Sequence, residues 1–593
     1  MDVNEKIAQL RRKMAQYGLA AYIIPSSDPH LSEYVADHWK ARQWFTGFTG
    51  SAGTFVVTHT QSGLWTDGRY YIQAEKQLAG SEIKLFKMGS PGVPSYIEWI
   101  KNNINENEYV GFPGKMVPVS VYKDMQKQFQ SKNIKIIHRY DLVDEIWQDR
   151  PAVPAERIFY HDIKYSGISA KEKIRMVREK MKELAVDYYF ISSLDDIAWL
   201  FNIRGNDIAY IPVTISYALL SMNEAYLFIN PAKVPEDVRK ILGENEIKIM
   251  DYEELSSKLS VLEKGKTVAF NPKKTNCWIY NAVHPDCEKI EIDEITTSLK
   301  AIKNDTELKN LEMCQIHDGI AMVRFLMWLE QNIVQQNVTE LSAAKMLNNF
   351  RMQQENNIGL SFETIAAYGE HGAMMHYSAT QESNYTLRNK GLMVLDSGGQ
   401  YINGTTDITR TIVFKEVSEE ERFDFTMVLK AHIALASAKF LYGATGSNLD
   451  ILARKPLWDI GLDYKCGTGH GVGYCLSVHE GPQNFSQTPN QVKLEKGMIV
   501  TIEPGIYKEG KYGIRIENMV KVVEAEKTES GQFMKFEPIT YCPIDLNGIN
   551  ADLLSDYEKN WLNEYHCMVY NKLSPHLTDE EKAWLREKTR AIQ

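Results

Sequence analysis

At 593 residues the chain is about four times the ~150-residue guide for one domain, which predicts two to four domains and excludes a small disulfide-stapled module. Hydrophobic residues make up 44% and charged residues 24%, ordinary globular values that exclude long disorder or a fibrous repeat. Acidic residues outnumber basic ones, 77 to 67, and the net charge of −10 creates no long-range attraction to a phosphate backbone or an anionic membrane, so neither nucleic acid nor membrane is expected as a partner.

Met1-Asp2-Val3-Asn4-Glu5-Lys6 carries acid where a signal peptide has base, and no apolar h-region follows. No uninterrupted apolar stretch approaches the roughly 18 residues needed to span a bilayer, so a soluble chain without an export signal is expected. The seven cysteines are odd in number and form no C-x-x-C pair, which predicts reduced thiols in a cytoplasm and no structural zinc.

An ungapped self-match at an offset of 167 residues aligns Lys6 to Asp28 with Lys173 to Asp195. In both copies apolar residues recur at helical spacing (Ile7, Leu10, Met14, Tyr17; Ile174, Val177, Met181, Leu184), and a strand-like run follows at Ala21 to Pro25 and at Tyr188 to Ile191. Two duplicated α/β domains are predicted, a chance likeness between amphipathic helix–strand pairs being the other explanation. Asp149-Arg150-Pro151-Ala152-Val153-Pro154 reads as the linker between them, because its prolines stop regular structure. Near residue 300, Asn304-Asp305-Thr306-Glu307 has the pattern of a capping box opening a long helix towards Glu330. The expected domains are residues 1–153, 154–300 and 301–593.

The third domain holds five good metal ligands in structured surroundings: Asp396, Asp407, His470, Glu503 and Glu517. Asp396 ends the apolar run Leu392-Met393-Val394-Leu395, and Asp407 follows the turn signal Asn403-Gly404 and precedes the alternating strand Ile408 to Ile412. Glu503 ends the strand Met498 to Ile502, and Glu517 closes the alternating segment Ile514 to Ile516, with Glu509-Gly510-Lys511 as the turn between them. His470 lies in a glycine-rich run, Gly467 to Gly473, where small residues are expected to let the backbone turn tightly and leave the imidazole accessible. Taken singly, strand-end acids are usually solvated. As a set, four carboxylates on apolar strands must face water or be neutralised, since a buried unpaired charge is costly. Two divalent cations would balance them, and oxygen-rich ligation with one imidazole points to Mn²⁺ first, with Zn²⁺, Co²⁺ and Fe²⁺ as alternatives. Two ions ~3.5–4 Å apart can share a hydroxide as nucleophile while polarising a carbonyl, which makes hydrolysis the expected chemistry. His376 and His479 are candidates for outer-site roles, donating to an oxyanion or moving a proton to a leaving nitrogen; an ordinary core or surface histidine is the alternative for each.

Several of these motifs together resemble the three-domain, cytosolic form of aminopeptidase P, the Xaa-Pro aminopeptidases of the pita-bread metallopeptidases. The resemblance spans essentially the whole chain. It rests on Leu395 to Gly399, Gly404 to Thr411, the glycine-flanked His470, Val478 to Pro482, Glu503-Pro504-Gly505 and Gly513 to Asn518. Gly47 to Gly53 and Trp65 to Tyr70 in the first domain, Ile197 to Gly205 in the second and Trp561-Leu562-Asn563 near the end add to it. The resemblance implies two creatinase-like α/β domains followed by a pita-bread α+β metallopeptidase domain with a C-terminal extension. It implies that Asp407 and Glu517 bridge both metals, Asp396 completes one ion, and His470 with Glu503 completes the other, Glu503 also accepting the proton of the attacking water. It further gives His376 and His479 contacts to substrate and tetrahedral intermediate, assigns Arg69 to the substrate, and makes Tyr507 a weaker candidate near the site. A cytoplasmic homodimer acting on peptides with N-terminal Xaa-Pro is the implied protein.

One residue departs from the pattern. Family members often carry histidine four residues before the metal-binding one, whereas this chain has Cys466, which predicts altered packing of the substrate pocket with the five ligands untouched. A dipeptide-cleaving prolidase, a metal-independent creatinase-like amidinohydrolase and a non-catalytic peptide-binding module on the same fold are the competing readings.

Overall fold

Asp2 and Glu5 close a capping box at the start of the helix Val3–Gln16, whose buried Ile7, Leu10 and Met14 share one face. The strand Ala21–Pro25 follows directly. In the second copy Ser169 caps the helix Ala170–Glu183, which buries Ile174, Val177 and Met181, each 167 residues beyond its counterpart, and leads to the strand Tyr188–Ile191. The computed structural model describes residues 1–335 and 337–593. These fall into two compact units, one of Met1–His161, Ile168–Ala209 and Val213–Thr296, the other of Asp162–Gly167, Tyr210–Pro212 and Thr297–Gln593.

The first unit contains two six-stranded sheets. One runs in the order Lys84–Lys87, Ser62–Thr66, Thr54–Thr58, Ala21–Pro25, Tyr109–Gly111, Lys135–Ile137; the other runs Ile247–Met250, Ala225–Phe228, Tyr217–Ser221, Tyr188–Ile191, Thr267–Phe270, Glu288–Glu291. Successive pairings are parallel, antiparallel, antiparallel, parallel, parallel in both. Equal order and equal sense make the duplication structural. No regular element is formed between Pro151 and Arg157, where the prolines stand.

In the second unit Asn304 caps the helix Asp305–Asn332 through the expected capping box with Glu307. A three-stranded sheet, Ile365–Tyr368, Leu392–Ser397 and Ile408–Val413, lays one face against that helix: Met393, Leu395, Ile408 and Ile412 cluster with Met322, Phe325 and Leu329. A six-stranded sheet likewise turns Val500, Ile502, Val520 and Val522 towards Leu435, Leu449 and Ala453 of the helices Glu419–Ala436 and Gly446–Trp458. Side chains alternate along a strand, so Asp396, Asp407 and Thr409 lie on the opposite face of the first sheet, and Thr501, Glu503 and Glu517 on the opposite face of the second. The apolar stripes that anchor each sheet thereby decide where the acids point. Among the described residues no helix is long and apolar enough to cross a membrane.

Arg410 ties the two ligand-bearing sheets together. Its buried guanidinium donates to the carbonyls of Thr409, Glu517, Cys542 and Pro543, to Asn518 Oδ1 and to the Tyr565 hydroxyl. Lysine carries the charge without the planar fork, so Arg410→Lys should strand several of these buried acceptors and cost more than about 2 kcal/mol. Urea unfolding of the variant reads this as a lowered midpoint; a midpoint equal to wild type contradicts the role given to Arg410.

Candidate metal centre

The antiparallel register places Asp396 opposite Thr409, and Asp407, two residues before Thr409, shares its face. In the second sheet Ile502 pairs with Asn518, which sets Glu503 and Glu517 opposite each other as the chain leaves one strand and enters the next. The hairpin Gly505–Lys508 and Tyr512–Arg515 fills the interval, with the expected turn at Glu509-Gly510-Lys511. His470 lies on the short strand Gly469–Gly471, where its backbone N–H donates to Thr501 Oγ1. Ligand atoms of Asp407, His470 and Glu517 all fall within 4.8 Å of one another. His470 Nε2 stands 3.4 Å from Asp407 Oδ2 and 3.6 Å from Glu503 Oε1.

The glycines around His470 serve a different purpose from the tight turn expected of them. A Cβ on Gly469 would overlap the carbonyl of Thr501, and one on Gly471 the carbonyl of Glu480, so they permit close approach of neighbouring strands. That approach brings the rings of His470 and His479 edge-on at 4.4 Å. Glu480, next to His479, is buried and accepts from Lys300 Nζ at 3.0 Å and from Lys303 Nζ.

Arg515 organises the opposite side. Its Nη2 donates to Asp396 Oδ2 at 2.6 Å, its Nη1 to the Tyr507 hydroxyl at 2.7 Å and its Nε to Thr409 Oγ1 at 3.1 Å; Thr409 in turn donates to Glu517 at 2.7 Å. Nη2 also reaches the carbonyl of Met375, the residue before the exposed His376, at 3.4 Å.

Residues 6–146 and 149–307 each match a creatinase/prolidase N-terminal domain, residues 309–524 match metallopeptidase family M24, and residues 532–592 match the C-terminal region of that peptidase. The sequence is 38% identical to Aminopeptidase P2 of Arabidopsis thaliana over 100% of this chain and 89% of the other. It is also 38% identical to a probable Xaa-Pro aminopeptidase P of Laccaria bicolor, over 99% and 93% of the two chains. This chain belongs to the aminopeptidase P family of M24 metallopeptidases. Its structure matches the crystal structure of an X-prolyl aminopeptidase from Caenorhabditis elegans, described as a cytosolic enzyme with a di-nuclear active site, at TM-score 0.95 and 35% identity over 100% of both chains.

In this aminopeptidase P-family chain the structure brings together Asp396, Asp407, His470, Glu503 and Glu517 with His479 and Tyr507. Cys466 joins them, its thiol close enough to Glu503 and Arg515 to feel their charge and pushed by burial up to about 12, so it is neutral. Arg69 lies in the other unit, where Asp67 chelates its guanidinium through two bonds of 2.8 Å. Arg515 and Thr409 received no role from the sequence, although a signal existed: each stands two residues from a candidate ligand in an alternating strand and so shares its face.

The donor set fits divalent cations. His470 Nδ1 donates to the carbonyl of Gly471 at 2.8 Å, which directs Nε2 at the acids, where loss of its proton would leave a lone pair for a cation. Asp396 Oδ1 is buried without a hydrogen-bond partner among the described residues. Burial pushes Asp396, Glu503 and Glu517 above the ordinary carboxylate range, and repulsion from Asp407 adds to it in all three. Burial pulls His470 down, but hydrogen bonding to Asp407 and attraction to Glu503 outweigh it and lift the imidazole to about 9. The count of four negative charges against two dications omits Arg515, whose positive guanidinium lies against Asp396.

These shifts fix the sign of the pH dependence. A raised carboxylate stabilises the fold below its ordinary range and loses that contribution as pH rises, and a raised histidine loses its contribution as pH climbs from its ordinary 6.5 to about 9. Chelated protein should therefore lose thermal stability from mildly acidic pH towards pH about 9, whereas protein saturated with Mn²⁺, its ligands deprotonated by the ion, should not. Melting curves across this window test it; parallel declines with and without metal contradict it.

Proposed function

We propose that this chain is an Xaa-Pro aminopeptidase, releasing the first residue of peptides whose second residue is proline. The observation that carries this reading is the convergence of Asp396, Asp407, His470, Glu503 and Glu517 on one face of each of two sheets, in a chain similar along its whole length to aminopeptidases P. In this reading Asp396, Asp407, His470, Glu503 and Glu517 would together hold two divalent ions. Mn²⁺ is the first choice for an oxygen-rich set, ahead of Zn²⁺, Co²⁺ and Fe²⁺. Bound there, such ions would supply acidification of a water and polarisation of the scissile carbonyl.

The chain's own residues supply the rest. Glu503 accepts the proton of the attacking water and returns it towards the leaving nitrogen. His479, set against the ring of His470, and His376 donate to the oxygen that becomes negative in the tetrahedral intermediate. A bond before proline is a tertiary amide with no N–H, so a site that holds the carbonyl has no need of the hydrogen that common peptidases grip. Tyr507 and the neutral Cys466 pack against the same apolar cluster and give the pocket a wall suited to a ring. Arg515 and Thr409 keep the acids in place. The domain limits 1–153, 154–300 and 301–593 belong to this reading. A cytoplasmic location is supported by seven free cysteines and by the cytosolic relative, and a homodimer by the family resemblance.

Mass spectrometry of the products of an Xaa-Pro-Yaa peptide tests the proposal. The free first residue and intact Pro-Yaa should appear with Mn²⁺ and vanish with chelator, and Asp407→Ala or Glu517→Ala should lose metal and hydrolysis together. Cleavage confined to Xaa-Pro dipeptides makes the chain a prolidase instead, and full activity in either variant removes the dinuclear site.

A further inference from the structure

The exposed His376 sits on a long connection between the strands Ile365–Tyr368 and Leu392–Ser397, and a connection of this kind does not by itself fix a side chain to the fraction of an ångström that catalysis requires. One residue remote in sequence holds this connection at several points. Glu340, the first residue of the helix Glu340–Met352, is fully buried, and both carboxylate oxygens are engaged. Oε1 accepts from the backbone N–H of Tyr368 at 2.8 Å and from His371 Nδ1 at 2.9 Å; Oε2 accepts from the backbone N–H of Tyr385 at 2.8 Å and from the Tyr377 hydroxyl at 3.0 Å. All these donors lie between residues 368 and 385, on both sides of His376. The ring of His371 is stacked on Tyr377 at 4.3 Å and on Tyr385 at 3.9 Å, so the bonded groups form one packed block.

The same connection is held from its other side by the metal-ligand strands. Gly372 and Gly513 touch backbone to backbone with no room for a Cβ on either, and the Met375 carbonyl accepts from Arg515, which holds Asp396. Burying a carboxylate is costly, and an apolar side chain usually gives equal or better stability at such a place. What the carboxylate adds is direction: charge-assisted bonds of defined geometry at several points along the connection.

We propose that Glu340 is a positioning residue for the peptidase reaction, fixing the connection so that His376 is presented to the substrate at a set distance from the Arg515–Asp396 edge of the pocket. The proposal rests on the Xaa-Pro peptidase reading above.

Glu340→Gln tests it, because an amide cannot accept on both sides and turns its NH₂ against donors at one of them. The expected result is a fall in kcat of about tenfold or more on an Xaa-Pro-Yaa peptide, with metal content and KM close to wild type. Tyr377→Phe, which removes the hydroxyl that bonds Glu340 and Ser383 but leaves the backbone donors to Glu340 in place, should show a smaller loss in kcat of the same kind, and it decides the matter if Glu340→Gln does not fold. In a His376→Ala background neither substitution should lower kcat further, since the group being positioned is gone. Unchanged kcat, or losses that multiply with that of His376→Ala, overturns the proposal while leaving an active wild type. A wild-type chain inactive on every Xaa-Pro peptide overturns the functional reading and this proposal with it.

Discussion

Four carboxylates held on the buried faces of two sheets cannot all keep their charge unless something positive lies among them, and the catalytic unit is arranged around that requirement. Arg515 meets part of it and the imidazole of His470 another part, yet Asp396, Glu503 and Glu517 are still driven towards protonation, and one oxygen of Asp396 is buried without a hydrogen-bond partner among the described residues. Divalent ions held there, as the proposed function requires, would satisfy all of these at once and would supply the chemistry that activates water.

The scaffold serves the same end. Apolar residues on alternate positions bind each sheet to its helices, which leaves the intervening acids no direction except towards each other. Arg410 joins the strand that follows Asp407 to the backbone at Glu517, so the two pairs of acids are held by a single buried guanidinium. Where strands must approach closely, at Gly469 and Gly471 and again between Gly372 and Gly513, side chains are absent. These contacts set the places of His470, His479 and the connection that bears His376.

Much of this was legible in the sequence wherever the cause is local. The repeat at 167 residues reflects two copies of one helix–strand unit, and its faces of Ile7, Leu10, Met14 and Ile174, Val177, Met181 are buried in register. The capping box at Asn304 and the turn at Glu509 to Lys511 stand where their residue chemistry put them. The five candidate ligands stood out in the sequence as acids and a histidine in apolar strands. Glu340 did not: it is an ordinary first-turn glutamate by its neighbours, and only the fold brings Tyr368, His371, Tyr377 and Tyr385 around it. Close strand approach was hidden for the same reason, since a glycine chosen for a tight turn and one chosen for a crowded neighbour look alike in a sequence.

In the proposed function the five side chains share a pair of divalent ions. Anomalous diffraction from crystals grown with Mn²⁺ addresses it most directly. Two peaks about 3.5–4 Å apart are expected, both within reach of Asp407 and Glu517, with Asp396 at one and His470 with Glu503 at the other. No peak in this pocket at saturating metal, or peaks bound elsewhere while peptide is still hydrolysed, would contradict it.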